Sequence, residues 1–595
     1  MSLSRSIILS VCAAVPVVAS AQGVGNGTNY QSPNAPNYQA PIVPPPPNHE
    51  LPSVPSAPTQ PAPAGTGGQL FVKKIEVRGV KAFKPDLIHK IVAPYENRVV
   101  SAAELWSLRA ALAKLYVDNG YINSGVLLPD QEAADGRVVF QAIEAALTRV
   151  EVADKGHLNP RYIKWRLRDH VSDPLKMNDL QYAIHYLQQD PNIQRLDARF
   201  SPGEVPGQGV LRLEVEDQPR FSAGLGFDNH HTSTTGANEG TAFFGARDLT
   251  GFGDEIHGTV IRARGDTEGS GVVSVPIAAD DAAFQVYYAR SSAGIIEQPF
   301  ESLNIEETTR TYGFSVTVPL LNRPDDRVSL FVGAESDRSY TQLLDQPFSL
   351  SQGAQNGVSA AAVVLGGVDW TLHGATSVTD LRLTYRRGID ALGATINSND
   401  TDYGPNPTGA DGRFGLEQMQ FIFIQRLNAF SPFSALNDRA QFIARASGQL
   451  SQRPLLLLEQ FSVGGVDTVR GFSENLLVRD NGTAETLEIQ VPVPGYRAQP
   501  NWRNLLVAPF VDYGRSWDKA NEDPGNPLLD TTHPLYIASA GAGLLWNPLK
   551  GLDAQVYYGK SIANNFNSSD DPRNFAPDDL QKRGVYFAVN YVAHW

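Results

Sequence analysis

Val585-Tyr586-Phe587-Ala588-Val589-Asn590-Tyr591-Val592-Ala593-His594-Trp595 ends the chain in strict alternation. Val585, Phe587, Val589, Tyr591, Ala593 and Trp595 fall on one face, because successive side chains of a strand point to opposite sides of its sheet. An apolar last strand with an aromatic final residue makes little sense in a soluble sandwich. In a membrane barrel, that strand closes the sheet against the first one, and its aromatics lie at the lipid interface. Phe587, Tyr591 and Trp595 are therefore expected to act as a C-terminal barrel signal.

The same texture extends back to about Arg220. Phe221, Ala223, Leu225 and Phe227 alternate with Ser222, Gly224, Gly226 and Asp228; Phe284, Val286 and Tyr288 alternate with Gln285 and Tyr287; Phe314, Val316, Val318 and Leu320 with Ser315 and Thr317. Loops rich in Gly, Asn, Asp and Pro separate these runs. Residues 218–595 suit about sixteen strands of ~10 residues, tilted across ~25 Å of apolar slab. No blade-like repeat supports a propeller. The mature chain holds no run of ~18 apolar residues, so no transmembrane helix is expected, but a closed barrel also satisfies every backbone hydrogen bond in lipid. A mean hydropathy of −0.24 fits, since alternate residues face the lumen.

Residues 1–21 read as a secretory signal peptide, with Arg5, an apolar core from Ile7 to Val18, and the small-residue site Ala19-Ser20-Ala21. The one cysteine, Cys12, lies inside it, so neither a disulfide nor a thiolate metal site is expected in the mature protein. Residues 22–68 are Pro-rich, with Pro44-Pro45-Pro46-Pro47, and suit an extended linker rather than a helix. A formal net charge of −14 argues against nucleic acid as a partner.

Two β-α-α-β-β units follow, at 69–146 and 147–217. In the first, Phe71 to Val80 reads as a strand and Asp86 to Val92 as a short helix. Ser101-Ala102-Ala103-Glu104 is a capping box, opening a helix with Leu105, Leu108, Leu112 and Leu115 on one face; Gly120 ends it, and strands follow near Val126 and Val138. The second unit has a strand at Thr148 to Val152, a helix near Pro160 to His170, and a helix capped by Asn178 with Leu180, Ile184 and Leu187 facing its core. Strands at Ile193 to Phe200 and Val210 to Val215 close it.

Gly120-Tyr121-Ile122-Asn123-Ser124, then Leu128-Pro129-Asp130-Gln131 and Gly136, resemble the first POTRA (polypeptide-transport-associated) domain of two-partner secretion transporters, the TpsB family. Gly120, Tyr121, Pro129 and Gln131 carry that signature. The second unit, with Pro191-Asn192-Ile193 and Pro206-Gly207, is similar to the family's second POTRA domain. Within the barrel region, the Asp248 to Asp254 and Arg387 to Ala394 stretches are similar to family strand and turn signatures. The most specific match is Phe461 to Phe472, which ends in Val469-Arg470-Gly471-Phe472 and resembles the Val-Arg-Gly-Phe/Tyr loop of POTRA-bearing outer-membrane barrels. Phe510-Val511-Asp512-Tyr513-Gly514 resembles the strand whose Asp meets that Arg.

The resemblance implies a mainly β fold: two periplasmic POTRA domains followed by an outer-membrane barrel of about 16 strands. It also implies that Arg470 and Asp512 pair in the lumen, with Gly471 allowing the loop to turn. The implied function is export of a partner exoprotein, an adhesin or cytolysin with an N-terminal secretion domain, from periplasm to cell surface. Some relatives also activate the cytolysin they export. Outer-membrane lipid and the barrel-assembly machinery are the other implied partners. A barrel-assembly insertase of the same superfamily is the nearest alternative, but that class typically carries more POTRA domains than the two visible here.

Nothing commits the chain to catalysis, a cofactor or a metal. Gly559-Lys560-Ser561 resembles the end of a phosphate-binding loop, yet Ala554 stands where its first Gly belongs. Asp228-Asn229-His230-His231 lacks zinc-type spacing and is expected to be a solvated strand end.

Overall fold

The computed structural model describes residues 68–595, except 122, 134, 155, 169, 299, 350, 352, 398–408, 428–439, 494–503, 521–531, 567–572 and 574–576. The signal peptide and all of the Pro-rich segment before Gly68 lie outside the described residues. Among the described residues, no helix is long and apolar enough to cross a membrane.

From Phe221 to His594, sixteen antiparallel strands close into a barrel. Each strand pairs with its neighbour in sequence, and the first and last strands close the circle. Closure runs from Ala588 opposite Asp228 to His594 opposite Ser222, and Phe221 and Trp595 exchange both backbone hydrogen bonds beyond it. The alternation seen in the sequence sorts inside from outside. Leu225, Phe227, Val286, Tyr288, Phe314, Val589 and Tyr591 are exposed on the outer wall, while Tyr586 and Ala588 are buried inside. Phe587 packs beside Phe227, Tyr591 pairs with Leu225 and Trp595 packs beside Phe221, so all three expected signal residues stand on the closing seam.

The N-terminal α/β region contains two modules of the expected order. In the first, Arg137–Ile143 lies between Lys74–Arg78, parallel to it, and Gly125–Leu127, antiparallel. The expected single strand at Phe71 to Val80 is in fact two. Gln69–Val72 pairs with an additional strand, Arg98–Ser101, and the chain changes partner at Lys73, whose N–H donates to Gly136 O. Helices Pro85–Val92 and Ala102–Asp118 cover the sheet, burying Ile88, Leu105, Leu108, Leu112 and Tyr116. In the second module, Gln208–Asp217 lies between Ala146–Asp154 and Ile193–Pro202. Its helices are Pro160–Arg168 and Met177–Gln188, with Leu180, Ile184 and Leu187 in the core. The expected cap at Asn178 is not one: the helix begins at Met177, and Lys176 at its N-cap makes no side-chain capping bond. Instead the Met177 N–H donates to Gly120 O of the first module, and the Ser172 hydroxyl accepts the Lys176 N–H.

The capping box is present as the sequence requires. Ser101 Oγ accepts the Glu104 N–H at 3.3 Å, and Glu104 Oε2 accepts the Ser101 N–H at 2.8 Å. The Ser101 N–H, then Arg98, hold the Glu104 carboxyl down at about 2. Because the folded value lies below the ordinary one, this support is complete above the usual carboxylate range and is lost as pH falls toward 2. Ser101→Ala should cost about 1 kcal/mol. Amide hydrogen exchange in helix Ala102–Asp118 of the full-length protein should then quicken by about fivefold where local opening limits it.

Candidate functional site: a loop latched inside the barrel

Between strands Gln441–Ser451 and Asn481–Pro492, the chain makes a long excursion containing the Phe461 to Phe472 motif. A short hairpin, Phe461–Val463 with Leu477–Arg479, forms its base. Gly464 and Gly465 follow with φ of +118° and +104°, a region that favours glycine. Thr468 Oγ1 accepts the Gly464 N–H, and Val469 and Phe472 are buried beside Val463, Leu477 and Ile537.

Arg470 is held on three sides. Its Nε and Nη2 donate to the two oxygens of Asp512 at 2.9 Å each, a bidentate pair, and its backbone N–H adds a third bond to the same carboxylate at 3.0 Å. Its Nη1 donates to Glu488 Oε2 at 2.6 Å. The guanidinium stacks on the ring of Phe510, 3.5 Å from its centroid, with the Tyr557 ring also within reach. Arg470 is 3% exposed, and Asp512 and Glu488 are 0% exposed. Charges this far from water persist only when paired and hydrogen-bonded. Here two carboxylates face one guanidinium, and Glu488 is further satisfied by Gln490 Nε2 at 2.7 Å and the Tyr557 hydroxyl at 3.2 Å.

The backbone on either side is equally constrained. Gly471 has φ +95°, and a Cβ there would stand 2.9 Å from the carbonyl carbon of Gly559 on the wall. A Cβ on Gly559 would in turn stand 2.7 Å from the carbonyl carbon of Arg470. Loop and wall touch backbone to backbone, which only glycine permits on both sides. The Tyr586 hydroxyl accepts the Gly471 N–H at 3.1 Å and donates to Phe472 O. One loop thus contacts strands Asn481–Pro492, Asn504–Trp517, Leu552–Asn564 and Val585–His594.

The expected partners Arg470 and Asp512 are therefore brought together, with Val469, Gly471 and Phe472 around them. The Gly120, Tyr121, Pro129 and Gln131 signature lies in the first α/β module and serves its architecture. Gly120 ends helix Ala102–Asp118 at φ +83°, and Tyr121 packs against Phe83 and Tyr116. Pro129 falls opposite Val139 if the register of Gly125–Leu127 is continued, and it has no N–H to offer. The Gln131 carboxamide substitutes for it, with Oε1 accepting the Val139 N–H at 2.7 Å and Nε2 donating to Val139 O at 2.8 Å.

Sequence reasoning missed Glu488, Gly559, Phe510, Tyr557 and Tyr586. Glu488 shares the inward phase of Thr486 and Gln490, the one local signal for it. A second buried network was also missed. Arg386, fully buried on strand Ser377–Ile389, reaches Glu459 Oε2 of the loop excursion at 3.0 Å and bonds Glu335 of strand Asp326–Leu343. The expectation that Asp228, Asn229, His230 and His231 are solvated is wrong: Asn229 is fully buried, His231 nearly so, and Asp228 is buried too. The strand ends inside a loop-filled rim, where the fully buried Gln581 donates to both Asn229 O and His231 O.

Residues 207–545 match the family model described as haemolysin secretion/activation protein ShlB/FhaC/HecB, and residues 70–145 match the ShlB-type POTRA domain. Among curated relatives, the outer membrane transporter CdiB of Escherichia coli is 24% identical over 517 residues, covering 82% of this chain and 77% of its own length. CdiB of Dickeya dadantii is 22% identical over 446 residues, 73% and 74% of the two chains. The heme/hemopexin transporter protein HuxB of Haemophilus influenzae is 20% identical over 498 residues, 82% of each. The fold is similar to solved CdiB from Escherichia coli, with a TM-score of 0.62 and 19% identity over 90% of this chain and 93% of that one. CdiB from Acinetobacter baumannii gives 0.57 and 16%, over 91% and 95%. A family model spanning more than half of the residues, over a closed sixteen-strand barrel that follows a POTRA domain, settles the kinship: this chain belongs to the haemolysin secretion/activation family of outer-membrane transporters.

Proposed function

We propose that this transporter receives one exported partner protein in the periplasm, through an N-terminal secretion domain of that partner, and passes it unfolded through the barrel to the cell surface. The observation that carries this reading is the combination in one chain of a POTRA-type module with a barrel whose lumen holds a latched loop. A passive pore needs neither. Residues 69–146 and 147–217 are taken as two POTRA receptor modules, 218–595 as the translocating barrel, 1–21 as a signal peptide and 22–68 as a tether. The α/β modules offer edge strands, Gly125–Leu127 in the first and Ile193–Pro202 in the second, to which an extended segment of the partner adds as a further strand.

The chain catalyses no reaction in this scheme. Arg470, Asp512 and Glu488 are a mechanical catch: they hold the loop in the lumen until an arriving partner displaces it. Folding of the partner outside makes its passage irreversible. The outer wall meets lipid, and the C-terminal strand with Phe587, Tyr591 and Trp595 is what the barrel-assembly machinery reads.

Loss of this chain should leave its partner inside the cell. In a strain lacking it, the partner in the medium should fall to background while other outer-membrane barrels stay at wild-type abundance. A general fall of those barrels would instead favour the insertase reading, and unchanged partner release would reject export by this route.

A further inference from the structure

We infer that the barrel holds a divalent metal site of the zinc class, formed by His231, Asp266 and Glu268 and oriented by Glu239. These residues come from the loop after the first barrel strand, from strand Glu239–Arg247 and from strand Asp266–Pro276. All four are at most 5% exposed. One ligand atom from each of His231, Asp266 and Glu268 can be chosen so that all three lie within 4.8 Å of one another.

The arrangement has the division of labour of a metal-binding histidine. His231 Nδ1 lies 3.1 Å from Glu239 Oε2, so its N–H faces a carboxylate that fixes the tautomer. The other ring nitrogen, Nε2, has no hydrogen-bond partner although it is buried, and it stands 3.3 Å from Asp266 Oδ2. Glu268 Oε1 is likewise buried without a hydrogen-bond partner. The Ser291 hydroxyl donates to the Asp266 carboxylate, 3.2 Å from Oδ1 and 3.4 Å from Oδ2, which steadies it beside His231. Donors bound at 2.0–2.2 Å around a tetrahedral ion sit roughly 3.3–3.5 Å from one another; His231 Nε2 and Asp266 Oδ2 already stand at 3.3 Å, and Glu268 has to close in from within 4.8 Å.

Charge points the same way. Among the described residues, the three carboxylates have no ion-pair partner except His231. Even with a protonated imidazole the group is left strongly negative in a place shut off from water, and such an excess needs a cation or bound protons. An imidazole nitrogen with carboxylate oxygens suits zinc better than calcium or magnesium, which take oxygen alone.

The framework is rigid without the ion. Thr235 O accepts the Gly265 N–H, and Asn229 bonds the closing strand through Val585 O and the Phe587 N–H. Metal at this point ties the loop of the first strand to the fourth strand, next to the seam where the barrel closes.

The test uses full-length protein in detergent micelles, stripped with a chelator and titrated with Zn2+ by calorimetry. Metal content is read by mass spectrometry, and the folded barrel is checked by its heat-modifiable electrophoretic mobility. Wild type should bind one Zn2+ that His185→Gln, outside the barrel, does not affect. His231→Gln and Glu268→Gln should abolish that binding, and Glu239→Gln should weaken it by about 10–100-fold while keeping the stoichiometry. Zinc K-edge absorption on wild type alone should show an N/O shell at about 2.0–2.1 Å with one imidazole. Absence of stoichiometric Zn2+ in wild type, unchanged affinity in His231→Gln, or a shell of several imidazoles would each overturn the site; the first would mean that the carboxylates are held by protons instead.

Discussion

Arg470→Ala is expected to abolish secretion while leaving a folded barrel in the outer membrane. The substitution takes the guanidinium from Asp512 and Glu488, two fully buried carboxylates, and leaves Glu488 only its neutral partners Gln490 and Tyr557. Breaking a buried pair in this way costs about 3–5 kcal/mol. The loop carries that loss, because the barrel itself rests on its closed strand ladder. Asp512→Ala is expected to be severe but milder, since the guanidinium keeps Glu488 at 2.6 Å and the Phe510 ring beneath it. The double variant should be no worse than Arg470→Ala alone, because groups that act as one unit are not additive. Partner in the medium, normalised to barrel in the outer membrane, measures all four proteins. Losses that multiply in the double variant would show two independent residues and sink the latch.

Removing residues 69–146 should give an equally large loss of secretion for a different reason. The barrel closes on its own strands, first against last, and uses none of that module in its sheet. It should therefore still insert and keep its heat-modifiable mobility. Partner export should nevertheless fall to background, because the deletion takes away a receptor sheet and its edge strand. The two losses are separable by crosslinking. The deletion should lose contact with the partner altogether, whereas Arg470→Ala should still capture it and then stall. If secretion persisted with the module gone, partner selection would have to reside elsewhere.

Much of this protein is written locally. The 585–595 alternation, Leu225 and Phe227 against Gly224 and Gly226, and the Ser101–Glu104 box need only the chain's own periodicity and its nearest neighbours. The barrel class, the helix start and the two faces of the alternating strands, such as 221–228 and 585–595, are therefore legible in the sequence. Arg470 and Asp512 were reachable only through resemblance, since nothing within a few residues of either says that they meet. The failures follow the same line. The strand from Phe71 to Val80 divides because a distant segment, Arg98–Ser101, takes its first half, and Asn178 does not cap because Met177 is claimed by Gly120. His231 looked solvated because only its sequence neighbours were considered. Pairing of the first four strands sets Glu239, Asp266 and Glu268 around it, and the loop that Arg470 anchors folds back against Gly559 and Tyr586 of the last two. Strand phase is a property of the backbone and follows from the sequence by itself. Which inward side chains face one another depends on register and closure across the whole circle, and only the tertiary structure decided that.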